Sequence, residues 1–569
     1  MPIFKSSLPP IEVPTNLPVW TWLFDSEYSP LQRQQHGEKL GGFTNAITKE
    51  RLGYDELKVH TTHLSTALVR RYGLRAGQTV GILTPNTVWY PCVMFGTLRA
   101  GGIVSGASPA YNAEELAFAL KTAEAKFLFT APPNLPVAVA AARSVGIPRE
   151  HVFLIYGAAE NFTTLAELLE IGRSYGTSQV EAYRIPPNKQ NRDVCAFLSF
   201  SSGTTGLPKA VMVGHSNIIA QCLQVGRMTP ASLRRILTVL PLFHITGLVH
   251  HLHLPVFLNA EVYLLPSFTM EDTLQSIQDY QLEEVLLVPP ILIRMVRDPA
   301  LLRRYNLSSL RRLMSGAAPL SAEILALIQQ YFPNIGFKQG YGMTESCSCI
   351  TLHPPDMYDF RYATRVGAIV PSTEVKFVDP QTGRECGVNE PGEIWARGPQ
   401  IVMGYLNNKK ATEETFDREG FLHTGDIGSI DDEGMVSITD RLKEMIKVNG
   451  IGVAPAELED LLLGHDEVED VAVLGVKDEL SGEHPKAFIV AKHRATRKRT
   501  LEEEEEEEEE DLDALRGRLI KYVQERKARH KWIAEIDFIN EIPKSASGKI
   551  LRRVLRDKMS RGNPRAAKL

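Results

Sequence analysis

From about residue 55 to residue 440, short runs of β-branched and aliphatic residues alternate with stretches of helical periodicity, which restricts this part of the chain to layered α/β folds. Val80-Gly-Ile-Leu-Thr, Phe127-Leu-Phe-Thr, Val152-Phe-Leu-Ile and Val285-Leu-Leu-Val read as buried strands closed by Pro, Gly or Asn. Ala113 to Ala123 and Ser321 to Tyr331 carry helical spacing between such strands. Strands joined through helices pair in parallel, so the expectation is stacked α/β layers with mostly parallel sheets.

After Asp440 the texture changes. Ala454-Pro-Ala-Glu-Leu-Glu459 opens a helix, Val468 to Val476 and Ala487 to Ala491 read as strands, and Leu512 to Lys531 is amphipathic. That pattern is a small α+β unit, which divides the 569 residues into a large unit, 1–440, and a small one, 441–569. The basic run Arg494 to Arg499 lies inside the small unit, followed by an acidic insertion at 502–511 with nine consecutive glutamates, Glu502 to Glu510. Like charges at that density repel each other, so the block reads as a solvated loop or a frayed extension of the following helix.

Composition excludes several classes of function. A net charge of −5 offers no clustered basic face to displace counterions from nucleic acid. No apolar run reaches the ~18 residues needed to span a bilayer, and the Pro-rich stretch Ser7 to Pro18 has no unbroken apolar core for a secretory signal. The six cysteines are scattered, with one close pair, Cys347 and Cys349, and read as reduced thiols without metal.

The motif that carries chemistry is Leu198-Ser-Phe-Ser-Ser-Gly-Thr-Thr-Gly-Leu-Pro-Lys209, a short strand followed by a turn rich in glycine and hydroxyls. Glycines such as Gly203 let backbone N–H groups approach phosphate oxygens. Ser201, Ser202, Thr204 and Thr205 add donors, and Lys209 adds a mobile positive charge. The spacing is not that of a Walker A loop, because Lys209 lies three residues after Gly206.

With this motif stand Pro241-Leu-Phe-His244-Ile, Ser315-Gly-Ala-Ala-Pro319, Gln339-Gly-Tyr-Gly-Met-Thr-Glu345, His423-Thr-Gly-Asp426, Asp440-Arg-Leu-Lys-Glu-Met-Ile-Lys447 and Pro543-Lys-Ser-Ala-Ser-Gly-Lys549. In order and spacing, from about residue 20 to residue 558, the chain resembles the adenylate-forming (AMP-binding) superfamily, and within it the 4-coumarate:CoA ligases and their peroxisomal relatives. The resemblance implies a large multi-layer adenylation domain joined by a hinge to a small mobile α+β lid, with the active site in the cleft between them. It implies an AMP-forming acid–thiol ligase that uses ATP, Mg²⁺ and CoA on an aromatic or medium- to long-chain acid, a secondary-metabolite precursor among the candidates.

The same resemblance assigns residues. Lys549 is the lysine that binds the α-phosphate and the carboxylate during adenylation, and Lys443 is the hinge about which the small domain turns. Asp426 and Arg441 take the ribose, Thr344 the α-phosphate, and Glu345 offers a hard oxygen to Mg²⁺. Ala317, Gln339, Gly340 and Tyr341 form the adenine slot. Thr246, Ser315, Gly316, Ala317, Gly340 and Gly342 line the acid pocket, and His244 stands as a gate between that pocket and the thiol tunnel. Lys447, Asn449 and Gly450 serve the CoA half-reaction. His244 has His250, His251 and His253 nearby, but a metal reading lacks a matching Cys or acidic partner.

Two departures from the ligase pattern fall on the second half-reaction and a third on the acid pocket. Gly452 replaces a glutamine, Ser267 replaces a basic residue that meets CoA phosphates, and Thr246 replaces a tyrosine of the phenol pocket. A stand-alone adenylating enzyme serving a carrier protein, a luciferase-like oxygenase and a non-catalytic nucleotide-binding protein are the other readings of the same motifs. The closing tripeptide Ala567-Lys568-Leu569 is a conservative variant of a peroxisomal address, which makes an import receptor an expected partner.

Lys549→Ala is expected to abolish pyrophosphate release while leaving ATP binding largely intact, measured as release kinetics beside ATP titration. Lys443→Ala is expected to impair thioester formation more than adenylation, and equal losses in the two half-reactions would reject the hinge assignment.

Overall fold

The computed structural model describes residues 3–33, 39–201, 208–316, 320, 322–441, 444–448, 451–478, 482–492, 501–544 and 550–562; side chains are described for all of these except 440, 441, 451, 452, 482, 501–510 and 560–562. Two large sheets and one smaller sheet account for the first 441 residues. The six-stranded sheet pairs Val152–Leu154, Ala125–Thr130, Thr79–Leu83, Ile103–Ala107 and Cys195–Ser201 in parallel, in that order, and ends on the antiparallel strand Lys209–Gly214. The nine-stranded sheet has a parallel centre that includes Arg235–Thr238, Glu284–Leu287, Arg312–Ser315 and Gly336–Met343, with antiparallel strands at both edges.

Parallel centres and helical crossovers agree with the alternating pattern of the sequence. Their strands are buried on both faces, as Thr79–Leu83 and Glu284–Leu287 show at every position, and each fully buried Leu, Ile or Val contributes about 1.5–3 kcal/mol.

The third sheet departs from the mostly parallel expectation. Phe4–Lys5, Glu374–Val378, Gly392–Arg397, Leu422–Ile430 and Val436–Arg441 form an antiparallel five-stranded layer. Its alternation was hidden because the inward positions of Leu422–Ile430 are not all apolar: Thr424 and Asp426 are buried beside Leu422 and Ile430.

The chain leaves this layer at Arg441 and joins a fourth sheet at Ile446. Ile446–Val448, Ile451–Val453, Val468–Asp478, Gly482–Ala491 and Glu535–Phe538 carry the helices Pro455–Leu463 and Leu501–Gln524 over a hydrophobic core of their own. Leu458, Leu462, Leu515, Leu519 and Val523 fill that core, the expected α+β unit. The glutamate run lies on the first turns of Leu501–Gln524, the helical extension rather than the loop. The same helix ends at Gln524, short of the expected Lys531. Lys527 and Lys531 both reach Glu457, at 2.9 and 2.6 Å, and Trp532 donates to the Lys527 carbonyl, which draws the segment across the Pro455–Leu463 helix.

The two units touch through Arg297, which donates to the carbonyls of Leu463, Val468 and Glu469 and so satisfies the end of the Pro455–Leu463 helix. Beside it, Asp460 of the small unit and Glu323 of the large one are close enough to repel each other. Burial, the Glu323 charge adding to it, pushes the Asp460 carboxyl up to about 6, with Lys527 opposing. A carboxyl raised in the docked state binds its proton there, so docking is favoured below about pH 6 and weakens as pH rises through that value. The docked population, read by resonance energy transfer between labels on the two units, should rise severalfold from pH 8 to pH 5.5, and Asp460→Asn should flatten the profile.

Candidate active site

The carboxyl ends of the parallel strands are where an open α/β sheet leaves a crevice for ligands. Ser201 ends one strand of the six-stranded sheet, and its register partner across the hairpin is Lys209, so the phosphate motif is the turn between two paired strands. The Ser201 hydroxyl is buried and has no partner among the described residues. Ser202, Gly203, Thr204 and Thr205 lie outside the described residues, as do Ala317, Lys443, Asn449, Gly450 and Lys549.

Lys209 projects over the ring of Tyr405, with its ammonium 4.7 Å from the ring centroid. The Tyr405 hydroxyl in turn donates to Glu345 Oε1 at 2.9 Å. The Tyr405 segment is stitched to the hairpin by backbone bonds from Met212 to Gly404, Met403 to Met212 and Leu406 to Ala210. Burial, and then the Glu345 charge, hold the phenol above its ordinary range, so it remains a donor. A cation, an aromatic ring and a carboxylate are thereby locked in line. No motif in the sequence pointed to Tyr405.

Glu345 and Thr344 are buried in a turn directly after Gly336–Met343. Glu345 fits the metal expected there: one oxygen is oriented by Tyr405, and among the described residues no partner meets the other. Mg²⁺ is ordinarily held by one or two carboxylates together with substrate phosphates.

Tyr341, on the same strand, donates its hydroxyl to Asp426 Oδ2 at 2.8 Å. Asp426 is buried, and the turn before it is set by Thr424, which donates to the Ile394 carbonyl, and by Gly425, whose N–H reaches Glu393 at 3.0 Å. Register pairs Asp426 directly with Arg441, so the two residues assigned to the ribose are cross-strand neighbours on one face. Gln339 plays a different part from the one expected: its side-chain amide donates to the Ala363 carbonyl and its backbone N–H to His353, which fixes the strand.

The residues expected around the acid divide. Gly316 is open: a Cβ there would meet only the Gly340 carbonyl, at 3.4 Å. Ser315, beside it, has a buried hydroxyl without a partner. Gly340 is closed toward Leu352 at 2.9 Å, where a leucine tip can move. Gly342 is close-packed on its Cβ side, where a Cβ would fall 1.5 Å from the Ser348 carbonyl oxygen. It is a packing glycine in a bulged strand pair and leaves no room for a side chain.

His244 and Thr246 precede a π-helical segment, Gly247–His253, and the His244 carbonyl accepts from Leu248 at 2.8 Å. Burial lowers the His244 imidazole to about 4, so it is neutral at physiological pH. The other histidines point apart: His250 meets Ser348 at 3.1 Å, while His253 meets the Leu248 carbonyl between Phe95 and Phe197. Among the described residues no group of three side chains could hold a metal ion. Lys447 is exposed in the small unit, its N–H on Glu483 at 2.7 Å, and no described contact brings it to the large-domain cleft.

The AMP-binding enzyme pattern matches residues 34–406, and the AMP-binding enzyme C-terminal domain pattern matches residues 457–549. The chain belongs to the AMP-binding enzyme family. It is 35% identical to 4-coumarate–CoA ligase-like 1 of Arabidopsis thaliana, over 98% of this chain and 97% of that one, and 35% identical to 4-coumarate–CoA ligase 1 of Narcissus pseudonarcissus, over 100% and 98%. Among solved structures it resembles ATP-bound MatB from Rhodopseudomonas palustris, with a TM-score of 0.78, 25% identity and coverage of 95% and 99%. The large and small units of this adenylate-forming enzyme are therefore the family's adenylation domain and its C-terminal domain.

The two glycines of the acid pocket should behave oppositely. Gly342→Ala should cost about 3 kcal/mol or more through overpacking, visible in denaturant unfolding. Gly316→Ala should leave stability nearly unchanged and alter which acids are accepted.

Proposed function

We propose that this AMP-binding enzyme is an ATP-dependent carboxylate:CoA ligase acting on an aromatic or medium- to long-chain acid. The observation that carries the reading is that Tyr341, bonded to Asp426, and Glu345, bonded to the Tyr405 that Lys209 overlies, stand four residues apart at the carboxyl end of Gly336–Met343. In the first step a carboxylate oxygen attacks the α-phosphorus, a new C–O–P linkage forms, and the bond to the β-phosphate breaks with loss of pyrophosphate. In the second, a thiol attacks the acyl carbonyl, and AMP leaves with the electrons of the cleaved C–O bond.

Each side chain has a part in this. Asp426, its lone pairs directed by Tyr341, accepts from ribose hydroxyls with Arg441 opposite. Lys209 places positive charge beside the phosphate turn, where charge gathers in the transition state. Glu345, steadied by Tyr405, would hold Mg²⁺, which when bound neutralises phosphate charge. Neutral His244 borders the acid without competing for its negative charge. Lys549 supplies the mobile ammonium for adenylation, and Lys443 lets the small domain exchange that ammonium for the CoA face, including Lys447, Asn449 and Gly450. CoA is the thiol we assign, Gly452 and Ser267 notwithstanding, because relatives at 35% identity, matched over 97–98% of their length, carry the names 4-coumarate–CoA ligase-like 1 and 4-coumarate–CoA ligase 1. The Ala567-Lys568-Leu569 ending supports delivery to the peroxisome through its import receptor.

The test is a mass-spectrometric screen of fatty and aryl acids with ATP and Mg²⁺, with and without CoA, scoring acyl-adenylate and acyl-CoA separately. Acyl-CoA from one class of acid is expected; adenylate without thioester would move the acceptor to a carrier protein or to oxygen. Asp426→Asn should raise the KM for ATP about ten- to hundredfold, the scale of a lost charged hydrogen bond.

A further inference from the structure

Adjoining the acid end of the cleft is a group of polar side chains that adenylation does not use. Lys338 lies two residues before Gly340 on the same strand, and its register partner on the neighbouring strand is Met314, which directly precedes Ser315. The lysine is 1% exposed. Its ammonium stands 3.7 Å from Glu284 Oε1, beyond hydrogen-bond reach, while Glu284 Oε2 takes Arg312 at 2.7 Å. Two cations thus face one carboxylate, and among the described residues no acceptor lies within hydrogen-bond distance of the Lys338 N–H groups.

Next to Lys338 is a cavity of about 30 Å³, space for about two water molecules, lined also by Glu284, Thr229, Met314, His250 and His251. The His251 imidazole is fully buried, and neither of its nitrogens has a partner. Burial drives His250 and His251 down to about 3, so both are neutral and each carries one N–H. One layer of side chains separates the cavity from the acid pocket: a Cβ on Gly340 would lie 3.7 Å from the Cys349 sulfur, which is 3.6 Å from His250 Nε2.

We propose that this cavity is the distal end of the acid pocket, and that Lys338 and His251 select acids whose far end carries a hydrogen-bond-accepting oxygen, as a second carboxylate or a keto group. The inference rests on the ligase reading of the same cleft. A hydrocarbon end would offer Lys338 and His251 no acceptor and leave both unsatisfied, and sites built around such groups reject the analogue that lacks them. An oxygen acceptor satisfies the surplus positive charge instead.

The test compares pyrophosphate release with ATP and Mg²⁺ for matched pairs: octanoate and octanedioate, decanoate and 9-oxodecanoate, 3-phenylpropanoate and 3-(4-carboxyphenyl)propanoate. In at least one pair the oxygenated acid should be preferred by about tenfold or more in kcat/KM. Lys338→Met, in which Arg312 still pairs Glu284, should erase that preference by raising kcat/KM for the plain acid, lowering it for the oxygenated one, or both, and His251→Phe should do the same. Equal use of both members of every pair, preference for the plain acids, or variants that lower both members alike would overturn the proposal while the ligase reading stands. No adenylate from any of the six acids would overturn the ligase reading and the subsite with it.

Discussion

The hydrogen bond from Tyr341 to Asp426 ties the parallel nine-stranded sheet to the antiparallel layer, and the nucleotide end of the cleft is built around it. A carboxylate buried this deeply needs donors, because an isolated charge taken from water costs several kcal/mol. Tyr341 supplies one from the other sheet, and its ring packs against the antiparallel layer's core. The contact that satisfies Asp426 therefore also fixes the distance between the two layers. Strand register then sets Arg441 opposite Asp426, four residues of chain carry Tyr341 to Glu345, and Tyr405 closes the far side over Lys209.

Charge is sorted along the cleft. At the phosphate end Lys209 and Glu345 are separated by an aromatic ring, which stabilises the cation by its face and the anion by its hydroxyl without letting the two collapse into a pair. At the acid end the titratable groups of the π-helical segment are imidazoles that burial holds neutral. A substrate carboxylate approaching the α-phosphate therefore meets its strongest positive field where bond formation occurs.

Much of this was legible in the sequence because nucleotide chemistry uses short contiguous motifs. The parallel sheets followed from apolar runs with periodic helices between them, Lys209 followed from the glycine and hydroxyl spacing of its motif, and Asp426, Glu345 and Thr344 followed from the resemblance to the adenylate-forming superfamily. What was hidden depends on pairing across the fold. Gly342 looked like pocket space and is filled by the carbonyl of Ser348, a residue of the strand it pairs with. Tyr405 belongs to no motif because its role comes from strands far away in sequence. The antiparallel layer was masked by its inward polar residues, and Lys338 by the surrounding strand pattern, where one lysine reads as an interruption rather than as a buried cation.

The junction between the two domains is built to separate without unfolding either. The small domain has a complete core, so no apolar interior is opened when it moves. Arg297 binds three backbone carbonyls across the boundary, and water can replace each of those bonds at a net cost of about 1 kcal/mol. Asp460 and Glu323 oppose the docking while both are ionised. A boundary of exchangeable polar contacts with a repulsive pair in it has a shallow minimum, and a shallow minimum is what an enzyme needs if one domain must present different faces to the same cleft in successive half-reactions.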